Sequence, residues 1–178
     1  MAKTKRKQPV RKARNVGRGS ARPKSRIELR RILVPIDFSD HSKKALQYAI
    51  PFAEQFKSSI DLLYVVEPTI YPADFSFGQV GFPSVEDELR QRGAEELQAL
   101  MRNEIGTRVD SRFAVKTGKA FNEIDQYAKE EGIDLIIIAT HGHSGMEHVL
   151  FGSTAEKVVR YAPCPVLVVR LAEKEFVT

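Results

Sequence analysis

The chain has 178 residues, 42% of them hydrophobic, which allows one ordinary domain with a proper core and argues against two. One cysteine, Cys164, excludes disulfide scaffolds and cysteine-based metal sites within a single chain and fits a reducing compartment. The formal charge of +5 is unevenly placed: residues 1–30 carry twelve Lys or Arg against Glu28 alone, a net of +11, while the other 148 residues carry a net of −6.

Three regions follow from that asymmetry: a basic tail over 1–30, a folded domain over 31–172 and a short C-terminal tail over 173–178. The first 26 residues contain Pro9, Gly17, Gly19 and Pro23 and almost no large apolar side chains, so they cannot bury enough surface to offset ordering and are expected to be disordered. A mobile cationic arm binds nucleic-acid phosphates or anionic lipid in a salt-dependent way. A solubilising extension explains the same composition. A transit peptide does so less well, because the segment lacks an apolar face. No apolar leader core and no run of about 18 apolar residues is present, so the expectation is a cytoplasmic protein without a transmembrane segment.

The first strand is expected over Ile32 to Asp37, apolar until a carboxylate appears at its C-terminal end, which is where ligands sit in an open α/β sheet. Ser39 or Asp40 can cap the helix that follows. Ala45, Leu46, Ala49, Ile50, Ala53 and Phe56 give that helix a stripe of period 3.6, and the stripe continues past Pro51, predicting a kink rather than an end. Ile60 to Val66 reads as the second strand. Glu67 to Pro83, with three prolines and several aromatics, reads as a long loop packed on the domain or on a partner.

Ser84 with Asp87 resembles a capping pair, and Val85 to Glu104 reads as a charged amphipathic helix. Val109 to Val115 is expected as a third strand at the sheet edge. Gly118 to Lys129 forms a third helix with Phe121, Ile124 and Tyr127 inward, closed by Gly132. Asp134 to Ala139 then forms a strand buried on both faces, and Val166 to Val169 forms the last one.

Between those last strands Ser153 and Thr154 open a helix that stops before Pro163. Backbone N–H groups at a helix start lack internal partners and favour an anion, and Gly142 and Gly152 leave room for a phosphate to approach. The two hydroxyls can cap the helix or bond a phosphate oxygen. The alternation of strands and helices predicts a doubly wound, Rossmann-like α/β fold with a five-stranded parallel sheet. Its crevice lies outside the ends of the first and fourth strands, where Asp37 and the glycine loop converge.

VPIDFSDHSKKAL at Val34 to Leu46 and ATHGHSGMEHVLFGSTAEKVVRYAPCPVLVVR at Ala139 to Arg170 resemble the universal stress protein family over nearly all of Arg31 to Leu171. ATP-binding members carry G-x2-G-x9-G-[ST]; here Gly142, Gly152 and Ser153 match, and Ala139 stands in the first glycine's place. Its methyl either crowds a nucleotide or is tolerated if φ there is negative.

The resemblance implies an adenine nucleotide alpha hydrolase-like fold and an adenine nucleotide ligand, ATP with accompanying Mg. It places Asp37 on the ribose with Pro35 and Ile36 beside it, the Val65 backbone at the adenine, and Ala139, Gly142, Gly152, Ser153 and Thr154 around the phosphates. It also implies a homodimer through the last strand.

Other constellations fit less well. A P-loop needs a lysine before the hydroxyl residue, and Gly152 is followed directly by Ser153. A dinucleotide fingerprint lacks its glycines, a nucleophile elbow at Ser144 meets Met146 where glycine is required, and His141, His143 and His148 have no acidic or cysteine partners at ligand spacing. Three functions remain: a non-catalytic or weakly hydrolytic ATP-binding stress protein, a nucleotide-hydrolysing enzyme, and a protein that contacts nucleic acid or an anionic surface through its tail.

Overall fold

The computed structural model describes residues 27–68, 83–142 and 152–172. Five strands, β1 (Arg31–Pro35), β2 (Ser59–Val66), β3 (Ser111–Thr117), β4 (Leu135–Ala139) and β5 (Val166–Val169), form one parallel sheet in the order β3-β2-β1-β4-β5. The order reverses between β1 and β4, as the alternation predicts, and β3 takes the expected edge. β1 and β4 are apolar on both faces because each face is covered.

On one face, α1 (Asp40–Phe56) and α2 (Pro83–Leu100) bury Ala45, Ala49 and Leu97 against Ile32, Val34, Leu62 and Ile137. On the other, α3 (Ala120–Glu130) and α4 (Ser153–Tyr161) close Ile124, Tyr127, Ala155 and Val158 over Leu33, Leu63 and Ile136. Fully burying side chains of this size stabilises the fold by roughly 1.5–3 kcal/mol each.

Ser39 caps α1, its hydroxyl accepting from the Ser42 amide at 3.2 Å, and the helix runs through Pro51 to end at Lys57 with φ +59. Continuation past the proline agrees with the unbroken apolar stripe. α2 begins at Pro83, so Ser84 sits inside its first turn and is not its cap; proline suits that opening position because its missing N–H has no helical partner there. The helix continues as a π-turn over Met101–Ile105, closed by the Gly106 amide on the Met101 carbonyl at 2.8 Å. β3 starts two residues later than the pattern suggests, and Gly132, at φ +63, follows the last residue of the α3 cap. The long loop expected over Glu67 to Pro83 falls almost entirely outside the described residues, as do the tails at 1–26 and 173–178.

At the amino-terminal edge of the sheet, fully buried Asp61 of β2 meets the Arg31 guanidinium at 2.5 Å, that of Arg112 at 3.0 Å and the Tyr127 hydroxyl at 3.2 Å. Glu131 binds both arginines from the end of α3. Burial pushes the Asp61 carboxyl upward against the opposing pull of Arg31. The Tyr127 phenol is raised far above its ordinary range by burial and then by Asp61.

Candidate functional site

Three described helices start at the carboxyl-terminal edge of the sheet, and they start differently. Ser39 caps α1. The Glu67 carboxylate, just past β2, accepts from the first amide of α3, Ala120, at 2.8 Å. The cap position of α4 is Gly152, with no side-chain capping bond. Ser153 and Thr154 are therefore the first two residues inside α4 and do not cap it, which overturns the capping alternative and leaves their hydroxyls beside the first-turn amides. Glu67 thus gives the start of α3 a negative partner, whereas the first-turn acid of α4, Glu156, pairs with Arg160 at 3.0 Å.

Gly152 is held to the exit of β4 by its amide on the Thr140 carbonyl at 2.7 Å. A β-carbon at Gly152 would sit 3.3 Å from that carbonyl, so the helix start and the strand exit touch through main chain alone. Two residues beyond Thr140, a β-carbon on Gly142 would overlap Asp37 Oδ2 and fall 3.3 Å from its Cγ. The carboxylate that ends the first strand's run and the second glycine of the loop are thus in direct apposition.

Asp37 lies two residues past the end of β1. Its Oδ1 accepts from the Ser39 hydroxyl at 2.5 Å and the Ser39 amide at 3.1 Å, which fixes the carboxylate's direction. Phe38 between them adopts φ +66, a left-handed conformation rare for a bulky residue. Its ring packs against Tyr64 with centroids 4.9 Å apart. His141 sits 5.8 Å, ring to ring, from His41 of α1 and pairs with Thr140 Oγ1 at 3.0 Å. Among the described residues no group of three His, Cys, Asp or Glu has a metal-holding arrangement.

The nine sequence-derived positions divide by what their side chains face. Asp37, Gly142, Gly152, Ser153 and Thr154 lie at the β1/β4 switch point, half-buried except for the exposed Ser153. Ile36 is buried, its amide extending the ladder to the Leu63 carbonyl at 2.8 Å. Ala139 is also buried, in the core on the α1 face, and its φ is not positive, so its backbone conformation makes no demand for glycine. Pro35 and Val65 are half-buried at the strand ends beside the crevice. Sequence reasoning did not single out Phe38, Ser39 as a holder of Asp37, or Thr140 as the tie to Gly152. The Asp-x-Ser spacing was the available signal for Ser39.

The described residues thus set the glycine-led start of α4 near a fixed carboxylate at the sheet's switch point, an arrangement of the kind that receives anions in other α/β proteins. A profile described as the universal stress protein family matches residues 28–170, and the chain belongs to that family. A universal stress protein of Methanocaldococcus jannaschii is 33% identical over 154 residues, spanning 82% of this chain and 85% of that one. The structure of universal stress protein UspA from Lactobacillus plantarum is similar at a TM-score of 0.68 and 29% identity, covering 82% of this chain and all of that one. A universal stress protein in complex with cAMP shares the fold at a TM-score of 0.60 and 19% identity, covering 82% of this chain and all of that one.

Proposed function

We propose that this chain is a stress-response regulator that binds an adenine nucleotide, ATP foremost, without sustained turnover. The observation that supports it most is the apposition of Asp37 to Gly142, beside a helix start whose cap residue is a glycine. In this reading the amides and hydroxyls of Ser153 and Thr154, with the bare backbone of Gly142 and Gly152, receive the phosphates. Asp37 accepts from the ribose hydroxyls, and Pro35, Ile36, Val65 and Ala139 form the main-chain walls for the rest of the nucleoside. Mg travels with the phosphates. The relative that holds cAMP shows that this fold has room for an adenine nucleotide in at least one member.

In the same reading, β5, an edge strand, pairs with its counterpart in a homodimer, and the protein works in the cytoplasm. The test is a thermal-shift and equilibrium-dialysis series with ATP, ADP and adenosine. Saturable ATP binding with a rise in Tm is expected, and no stabilisation at millimolar ATP beside a working positive control rejects the reading. ATP turnover that disappears in Gly142→Val would instead make the protein an enzyme.

The charge segregation supports a second role, contact with nucleic acid or an anionic surface through residues 1–26. Salt-sensitive binding to duplex DNA or anionic vesicles should vanish when those residues are deleted. Unchanged binding after deletion removes that role.

A further inference from the structure

Three residues that the nucleotide reading does not use link α2 to the crevice. Gly93 is buried within α2, where a β-carbon would lie 2.6 Å from Tyr64 Cε1 and closer still to Cδ1. The Tyr64 ring, rising from β2, therefore lies directly on the helix backbone, in space that only glycine leaves open. The same ring packs against the Phe38 ring, 4.9 Å away at an interplanar angle of 51°. Phe38 is the left-handed residue between Asp37 and Ser39, and Ser39 holds Asp37 Oδ1 through both amide and hydroxyl.

We propose that Gly93, Tyr64 and Phe38 form a packed relay that positions the Asp37 carboxylate, so that the seating of α2 on the sheet sets affinity at the crevice. A bulky residue keeps a left-handed conformation only where its surroundings over-determine it. Here the Tyr64 ring supplies that restraint from one side, and Gly93 lets the ring come close enough to supply it. If the ring is displaced, Phe38 relaxes toward negative φ. The peptides flanking it then rotate, and the carboxylate swings off Gly142. The Tyr64 phenol is raised by burial, then by the negative charges of Glu96 on α2 and Asp37, so it lies within electrostatic reach of both ends of the relay. Gly93, Tyr64 and Phe38 are positioning residues in this scheme: they act through Asp37.

The proposal rests on the nucleotide reading for its effect on affinity, and the experiment separates the two. ATP titration calorimetry is run on the wild type, Gly93→Ala, Tyr64→Leu and the double variant, and the Gly142 amide is followed by NMR in each ligand-free protein. Gly93→Ala is expected to weaken ATP binding about tenfold, a size typical of coupling through packed side chains, and to shift the Gly142 amide although the substitution lies in a different element. Tyr64→Leu should do both as well. The double variant should be no worse than Tyr64→Leu alone, because without the ring the added methyl has nothing to displace.

A folded Gly93→Ala protein with a lower Tm, an unmoved Gly142 amide and unchanged affinity overturns the relay, as do additive effects in the double variant. Should Gly93→Ala fail to fold, Tyr64→Leu decides alone, and an unmoved Gly142 amide there is equally fatal. If the wild type binds no ATP, the nucleotide reading falls while the amide shift still decides the relay.

Discussion

At the amino-terminal edge of the sheet, Asp61 is fully buried and ringed by Arg31, Arg112 and Tyr127. At the carboxyl-terminal edge, Asp37 is half-buried, held through one oxygen by Ser39 and set with the other against the backbone of Gly142. One carboxylate has fixed cationic partners and can give none of them up without leaving a charge stranded. The other is held by the Ser39 amide and hydroxyl against the bare backbone of Gly142, and it is there that the proposed ligand would enter. A charged residue on a parallel strand is therefore not a site signal in itself; the partners that surround it decide.

The contrast breaks most visibly at Asp61. Asp61→Ala should cost about 3 kcal/mol or more in urea unfolding, because it leaves the buried Tyr127 hydroxyl without its acceptor and Arg31 and Arg112 with Glu131 alone, and it should leave ATP affinity of the folded protein unchanged. Gly142→Val should do the reverse. Its side chain would enter the space of the Asp37 carboxylate, so ATP binding should weaken by roughly 3 kcal/mol, about a hundredfold in Kd by calorimetry, with a smaller change in Tm.

Asp37→Asn sharpens the comparison. It keeps the shape but weakens an acceptor, and should lower affinity for ATP and adenosine alike by about tenfold. The smallest effect is at Tyr127, whose phenol keeps its proton in the native state well above the usual tyrosine range. The unfolded chain loses that proton near pH 10, so the folded state binds more protons above that point and stability falls as pH rises. Tyr127→Phe should remove part of that alkaline loss, measured by urea midpoints from pH 8 to 11, at a cost of about 1 kcal/mol at neutral pH for the missing hydrogen bond.

The parallel sheet, the edge position of β3 and the reversal between β1 and β4 were legible because they follow from alternation and from where apolar runs end. Asp37 was legible for the same reason: a carboxylate that closes an apolar strand has few other places to be. Asp61 was not, since within Ile60 to Val66 it looks like one polar break in a buried strand, and only the parallel register places Arg31 and Arg112 beside it. Capping was misjudged at Ser84, which is the second residue of its helix, and the cap left open between Ser153 and Thr154 falls one residue earlier, on Gly152. Sequence pattern does not separate those positions when proline or glycine precedes. The aromatic contacts under Asp37 depend on a helix and a strand meeting far apart in the chain, which no local spacing reveals.

The amides of Arg30 and Arg31 both donate to Asp134 Oδ2, at 2.8 and 3.0 Å, and Ser58 Oγ donates to the Leu29 carbonyl at 2.6 Å. The chain that leads into β1 is thereby pinned to the end of the sheet opposite Gly142 and Gly152. β1 alone puts about 16 Å between them. On the readings proposed above, a nucleotide at the switch point and a polyanion at the root of the arm would be held at opposite ends of one strand, so each could be removed by mutation without touching the other.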